Sequence, residues 1–453
     1  KDSNELEQVG GDAYLNQVQD SVPSVASLGY YADEVRSKYR IRRMLQTLAE
    51  VSLKAREPQD DVDQFIAQSS LEILQVTDED AQTKERMIKE EVKLVLDDME
   101  EHYSRGRLNV PPGYLPTGFE YMDKVVGGLA PEDLFILAGR PGAGKTTLAS
   151  DIIWNLATRN QWMRKTGKLG ENGRPEWETV TGGCPVGVFS LEMSGKSLAR
   201  RLMFRAAHVS AGKFKQGFAT ENDLKKLLTQ APTVAAQPVV IDDTPGQTIS
   251  QIAAKARRWA RKYGIKLFVL DYLQLVKPDK RGENRNRELE EVVNHLMILK
   301  KALKIPWIVL AQMNRDIEKA ESSRVPQLAD LKDCGAIEQA CDHAFFLYLP
   351  ERGKSKWKKD EQGEPYEEVD ERRREEMFLE EHYADVEHTE RPRRVNGFEA
   401  KNRDGATGDV QFLFHTNQFR FEDWRQWATA NGFAEYGKGE RKNANPSEYE
   451  EEL

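Results

Sequence analysis

Six short apolar runs alternating with helical stretches, and a glycine-rich loop directly after the first run, predict an α/β fold. The expected architecture is a mostly parallel sheet carrying a phosphate-binding loop. The runs are Leu134–Ala138, Val186–Ser190, Pro238–Ile241, Leu267–Leu270, Trp307–Leu310 and Phe345–Leu349. The segments ahead of them show helical periodicity instead. The expected division is a small helical N-terminal domain over 1–77, a linker helix and linker over 78–116, the α/β domain over 117–435, and a polar, acidic tail over 436–453.

In the N-terminal segment Ile41, Leu45 and Leu48, and again Met44, Leu48 and Val51, recur at helical spacing, which predicts small helices. Ile88, Val92, Val95, Met99 and Tyr103 then form one apolar stripe on an otherwise charged helix. Pro111, Pro112, Gly113 and Pro116 follow it, a linker composition. A helix in that position packs either on its own domain or on another subunit. Two polar inserts interrupt the α/β pattern. Residues 161–185 contain Gly and Lys, and 351–392 are dense in both charge signs; both are expected at the surface, the second partly disordered. The run Lys255, Arg257, Arg258, Arg261 and Lys262 lies on a helix that also carries Ile252, Ala256, Trp259 and Tyr263. It is read as a helix packed on the sheet with a solvated basic face.

Composition narrows the function classes. The net charge is −9, so any contact with nucleic acid must be local, in a groove or a lumen. The three cysteines, Cys184, Cys334 and Cys341, form no CxxC pair, and the seven histidines form no HExxH pattern. Neither a disulfide framework nor a zinc site of those kinds is indicated, and a reducing compartment is expected. No apolar run approaches the roughly 18 residues of a membrane span, and no signal peptide opens the chain. It begins at Lys1, so a natural start upstream is expected.

Chemistry concentrates on one motif. Gly139-Arg140-Pro141-Gly142-Ala143-Gly144-Lys145-Thr146 matches GxxxxGK[ST]. Backbone amides must wrap a β-phosphate closely, so glycine is needed where a Cβ would clash. Lys145 would reach the β- and γ-phosphates and Thr146 would offer a hydroxyl to Mg²⁺. Thr147 opens the following helix, whose N-terminus favours an anion. ATP and Mg²⁺ are the expected ligands. Asp271 ends a strand and would face the same crevice, as a direct Mg²⁺ ligand or one holding its water. Glu192 ends another strand and is the candidate to orient and deprotonate the attacking water, although a glutamate there also suits the start of a helix. Gln312 ends a third strand with the chemistry to sense a γ-phosphate.

Together these stretches resemble the DnaB-type replicative helicases, whose motor is a RecA-like domain. The matching segments are Gly139–Thr147, Phe189–Ser194, Leu270–Leu275, Leu310–Arg315, Leu328–Asp342 and Ala400–Gly408, with Gly10–Leu15, Val22–Ala26 and Tyr30–Arg43 upstream. The resemblance implies that Glu192 is the catalytic glutamate and Gln312 the γ-phosphate sensor. It also implies that Arg403, with Lys401, is an arginine finger reaching a neighbouring subunit's ATP. Lys332, Asp333, Cys334 and Gly335 match the family's DNA-binding loop. The implied assembly is a homohexamer on single-stranded DNA moving 5′→3′, with a helicase loader and a primase as partners. The implied location is the cytoplasm of a bacterial or phage-infected cell, away from membranes. The family's N-terminal domain begins earlier, so about its first half is expected to lie outside this chain. Lys401–Arg403 (KNR) also resembles RadA-type recombination ATPases, but their cysteine zinc module and protease-like domain have no counterpart here. An inactive ATP-gated scaffold is disfavoured by the intact Lys145, Glu192, Asp271 and Arg403.

Overall fold

The computed structural model describes residues 28–57, scattered helical positions between 62 and 99, and 110–433 apart from 112, 160, 170–174, 280–283, 314–324, 332–334, 351–354, 360–364, 388 and 389. The chain forms two compact units, Lys1–Glu85 and Arg86–Leu453. In the first, the described residues form one long helix α1 (Leu28–Lys54), followed by further helical positions between 62 and 73. No proline occurs within it to break it. Its Ile41, Leu45 and Leu48 are exposed and Met44 and Val51 half-buried, so the predicted stripe is helical but not buried among the described residues.

In the second unit the described residues of the stripe, Ile88, Val92, Val95 and Met99, are also helical and all exposed. Tyr103 lies outside the described residues.

The rest of this unit is built on a nine-stranded sheet in the order β13-β12-β11-β8-β1-β7-β6-β4-β5. Its parallel half holds β1 (Leu134–Gly139), β4 (Val186–Ser190), β5 (Val239–Asp242), β6 (Leu267–Asp271), β7 (Trp307–Gln312) and β8 (His343–Tyr348). These are the six apolar runs of the sequence, shifted by at most two residues at their ends. Strands β1, β4 and β6 are buried along their whole length because helices cover both faces. Among those helices are α3 (Lys145–Ala157), α4 (Gly195–Ala207), α7 (Ile249–Tyr263) and α8 (Arg285–Leu303), with α2 (Glu120–Val126) ahead of the sheet and α5 (Ala211–Gln216) and α6 (Glu221–Ala235) between α4 and β5. On α7, Ile252, Ala256 and Trp259 are buried and the Trp259 ring stacks on Phe189 at 4.8 Å, while Arg258, Arg261, Lys262 and Tyr263 face solvent. Arg258, Arg261 and Lys262 are therefore the solvated side of a packed helix, while Lys255 and Arg257 are half-buried and Lys255 pairs with Asp242.

Three strands absent from the sequence reading extend the sheet beyond β8, each antiparallel to the one before it: β11 (Arg393–Asn402), β12 (Gly408–His415) and β13 (Arg420–Asp423). Along β11 burial alternates through Val395, Gly397 and Glu399, the pattern of a strand with one covered face.

Both inserts carry ordered elements. Residues 161–185 contain an antiparallel hairpin, β2 (Gln161–Leu169) with β3 (Pro175–Thr181). Residues 351–392 contain a second, β9 (Ser355–Lys359) with β10 (Pro365–Val369), and helix α10 (Glu371–His382). The charge density of that segment hides a small core: Phe378 packs with Leu413, Trp424 and Ala428, the last two on α11 (Trp424–Ala430). Glu375 on α10 pairs with Arg394 and accepts from the Trp424 indole at 3.2 Å. The tail over 436–453 lies outside the described residues.

Candidate active site

The chain leaves β1, passes over the places of two strands to β4, and returns through β6 and β7 to β8, so that β7 and β8 flank β1. The carboxyl ends of β1, β7, β6 and β4 are thus brought side by side, where open α/β sheets hold their ligands. A cleft of about 380 Å³ opens there. Arg140, Pro141, Gly142, Gly144, Lys145, Thr146, Thr147, Glu192, Asp271 and Gln312 all line it. Four separate stretches of sequence therefore converge on one cavity, as expected from their positions at strand ends. Gly139 and Ala143 complete the loop without lining the cleft.

The loop needs its glycines for two reasons. Gly142 and Gly144 have φ of 77° and 100°, in the left-handed region that side chains avoid. A Cβ on Gly144 would stand 2.7 Å from the Phe421 ring, and one on Gly139 would stand 2.6 Å from the Leu347 carbonyl oxygen. Helix α3 begins at Lys145 with no side chain capping its first turn, leaving amides there to meet an anion. The Lys145 ammonium donates to the Gly139 carbonyl at 2.6 Å and is held within the loop. Burial lowers its pKa against the pull of Asp271 and Glu192.

Asp271 is the most perturbed group of the cleft. Burial pushes its carboxyl up to about 6 from the ordinary 3.8, and Glu192 adds to the rise; the Thr146 hydroxyl, Arg201 and Lys145 act against it. The hydroxyl of Thr146 and the carboxylate of Asp271 are hydrogen-bonded partners. Two hard oxygen donors side by side, one of them anionic, fit Mg²⁺ better than a softer metal. The Leu191 amide donates to the Asp271 carbonyl at 2.8 Å and locks the β4 turn, with the adjacent Glu192, against β6. Glu192 is exposed within the cleft, open to solvent and so to a water it could orient. Gln312 lies in register with Gly139 across the β1–β7 pair.

Sequence reading missed part of the lining. Arg201 on α4 reaches the cleft between Glu192 and Asp271, and burial lowers its pKa against the pull of both carboxylates. Its guanidinium lies 5.1 Å from the centre of the Phe419 ring. Phe414, Thr416 and Phe419 form the opposite wall. Arg201 has no local motif to reveal it. The aromatic residues belong to the antiparallel strands and the turn between them, which the search for buried parallel strands passed over.

Lys401 and Arg403 do not line this cleft. Strand β11 runs antiparallel to β8, so Lys401 is level with Ala344 and Asn402 with His343, at the amino end of the parallel strands. The Arg403 amide donates to the Asp342 carbonyl at 3.0 Å. Gly139 is level with Leu347, five residues further along, which separates the two edges by roughly 17 Å. Of the sequence-predicted DNA loop, Lys332, Asp333 and Cys334 lie outside the described residues, and Gly335 opens helix α9 (Gly335–Ala340). Just ahead of it, Leu331 forms an isolated bridge with Met313, the residue after Gln312.

Comparison with known proteins agrees with this geometry. Residues 114–423 match the DnaB-like helicase C terminal domain family. The chain is 32% identical over 348 residues to the replicative DNA helicase DnaB of Geobacillus stearothermophilus, covering 76% of this chain and 71% of that protein. It is 31% identical over 345 residues to the replicative DNA helicase DnaC of Bacillus subtilis, covering 76% and 70%. In fold it resembles a solved DnaB-like replicative helicase described with its interactions with primase, with a TM-score of 0.59, 23% identity, and 92% and 84% of the two chains covered. Among the described residues no helix is long and apolar enough to cross a membrane. The family match encloses the whole cleft as well as Lys401 and Arg403, and the chain accordingly belongs to the DnaB-like family of replicative DNA helicases, as an ATP-hydrolysing helicase.

Proposed function

We propose that this chain is one motor subunit of a homohexameric ring that moves 5′→3′ along single-stranded DNA, with ATP bound between adjacent subunits. The observation that carries this reading is the position of Lys401 and Arg403. They stand at the sheet edge opposite their own cleft, too far to touch nucleotide there, so they are suited to a neighbour's. A guanidinium supplied in that way is worth about 10³- to 10⁵-fold in rate.

Within the subunit's own cleft, the loop amides and Lys145 hold the β- and γ-phosphates. Thr146 and Asp271 would hold Mg²⁺, which when bound neutralises phosphate charge. Glu192 orients the attacking water and takes its proton. Arg201 lies where it can offset the charge of Glu192 and Asp271, and Phe419 offers a flat apolar wall to the base. Gln312 senses the γ-phosphate, and the Met313–Leu331 bridge carries its displacement to the loop over 332–335, which grips DNA phosphates without reading bases.

The ring is held by the exposed stripe Ile88, Val92, Val95 and Met99 docking on a second copy, since that much apolar surface is costly in water. A helicase loader and a primase engage the N-terminal unit, whose α1 exposes Ile41, Leu45 and Leu48; the assembly works in the bacterial cytoplasm. The test is ATP-dependent unwinding of a forked duplex with a 5′ single-stranded tail, by the wild type and by Glu192→Ala. Unwinding that is lost in the variant is the expected result. DNA-stimulated hydrolysis without unwinding would favour a recombination ATPase instead.

A further inference from the structure

Helix α9, the element that begins where the DNA loop ends, is gripped at its carboxyl end by both trans-acting cations. Lys401 Nζ donates to the Glu338 carbonyl at 2.7 Å, and Arg403 Nη2 donates to the Gln339 carbonyl at 3.2 Å. These are carbonyls of the last turn of α9, which a helix leaves without internal partners. Arg403 Nη1 donates to Asp342 Oδ1 at 2.8 Å.

Asp342 is itself anchored from two other sides. Its Oδ2 accepts the Leu134 amide at 2.8 Å, at the start of β1, and also pairs with the buried Lys300 of α8. The next residue along, His343, donates from Nδ1 to Glu399 at 3.0 Å, and both side chains are buried. That contact sits at a register shift in β11 between Glu399 and Lys401, just ahead of the cations. Two consecutive residues at the entry to β8 thus fix the strand that carries Lys401 and Arg403: His343 pins the bulge, and Asp342 holds the guanidinium.

We propose that Asp342 is a positioning residue for Arg403, clamping the finger to the carboxyl end of α9 so that its guanidinium keeps a fixed aim at the neighbouring subunit's ATP. This rests on the reading of Arg403 as a trans-acting finger. Guanidinium geometry permits it: Asp342 and Gln339 use two of the five N–H donors, which leaves others for a phosphate, and the side chain is about half exposed.

The test measures ATP hydrolysis by the full chain with and without single-stranded oligothymidylate. Asp342→Asn alone would leave Lys300 buried without its counter-charge, so it is combined with Lys300→Met, which fills the same space without a charge. The double variant should keep the wild-type KM for ATP, oligonucleotide affinity and hexamer mass. Its DNA-stimulated kcat should fall about 10- to 100-fold, the scale of a catalytic group misplaced by about 1 Å. Lys300→Met alone, which keeps the Asp342–Arg403 pair, should stay within about twofold of wild type. DNA stimulation as in the wild type in the double variant overturns the proposal. So does an equal loss in Lys300→Met, or a loss that appears in KM rather than kcat. Arg403→Ala separates the two ideas: if it hydrolyses normally with DNA, the finger reading fails; if it is inactive while the double variant is normal, the clamp alone fails.

Discussion

Replacing Asp271 by asparagine should stabilise the nucleotide-free protein while abolishing hydrolysis. In the folded chain burial raises the Asp271 carboxyl from 3.8 to about 6. The native state therefore holds this proton more tightly than the unfolded chain does. The sign follows directly: stability falls as pH rises from about 4 through 6, and above that the full cost of a buried, charged carboxylate remains. At about 1.4 kcal/mol for each tenfold change in proton affinity, that cost is about 3 kcal/mol at neutral pH. Asparagine resembles the protonated acid and still accepts the Thr146 hydroxyl, so it escapes most of this cost. Scanning calorimetry in EDTA without nucleotide should show a melting temperature several degrees above wild type at pH 7.5, with the gap closing toward pH 4.5. An equal or lower melting temperature at pH 7.5 would refute the reasoning. A gap as large at pH 4.5 as at pH 7.5 would locate the effect in packing rather than charge. The same variant should show no measurable Mg²⁺-dependent hydrolysis, because the strongest oxygen donor of the cleft is gone.

Val92→Asp places a charge in the exposed stripe and should convert hexamers to smaller species by light scattering, with the melting temperature little changed; an intact hexamer would end the docking role of that helix. Phe419→Ala should raise the KM for ATP about tenfold, the scale of losing one base–aromatic stack at about 1–3 kcal/mol, while kcat holds. An unchanged KM would remove Phe419 from the base wall. Gly144→Ala meets a positive φ and the Phe421 ring at 2.7 Å, and should abolish binding of a fluorescent ATP analogue in a chain that still folds; retained binding would mean that the loop relaxes at little cost.

Five of the six parallel strands were legible because they are buried on both faces and read as continuous apolar runs, Trp307–Leu310 being one example, while β5 at the sheet edge is half-buried but still an apolar run. The phosphate loop was legible because close approach to a phosphate restricts the residues that fit. Strands β11 and β13 escaped because one-sided burial spreads their apolar residues over alternate positions, with Arg393, Asn396 and Lys401 between those of β11; β12, buried on both faces from Phe412 to His415, was passed over. Helix α10 escaped for a similar reason: Phe378 and Glu375 are its buried positions in a run that is otherwise charged.

The sequence by itself determined the α/β class, the nucleotide loop, and the carboxylates and glutamine that end neighbouring strands, because these depend on local periodicity and on short-range steric rules. Only the tertiary structure decided that Glu192, Asp271 and Gln312 share one cleft with Arg201 and Phe419, since strand order is set by long-range pairing that no local pattern encodes. It alone also placed Lys401 and Arg403 at the opposite edge, on α9 and Asp342, because the antiparallel return of β11 carries its end away from the cleft.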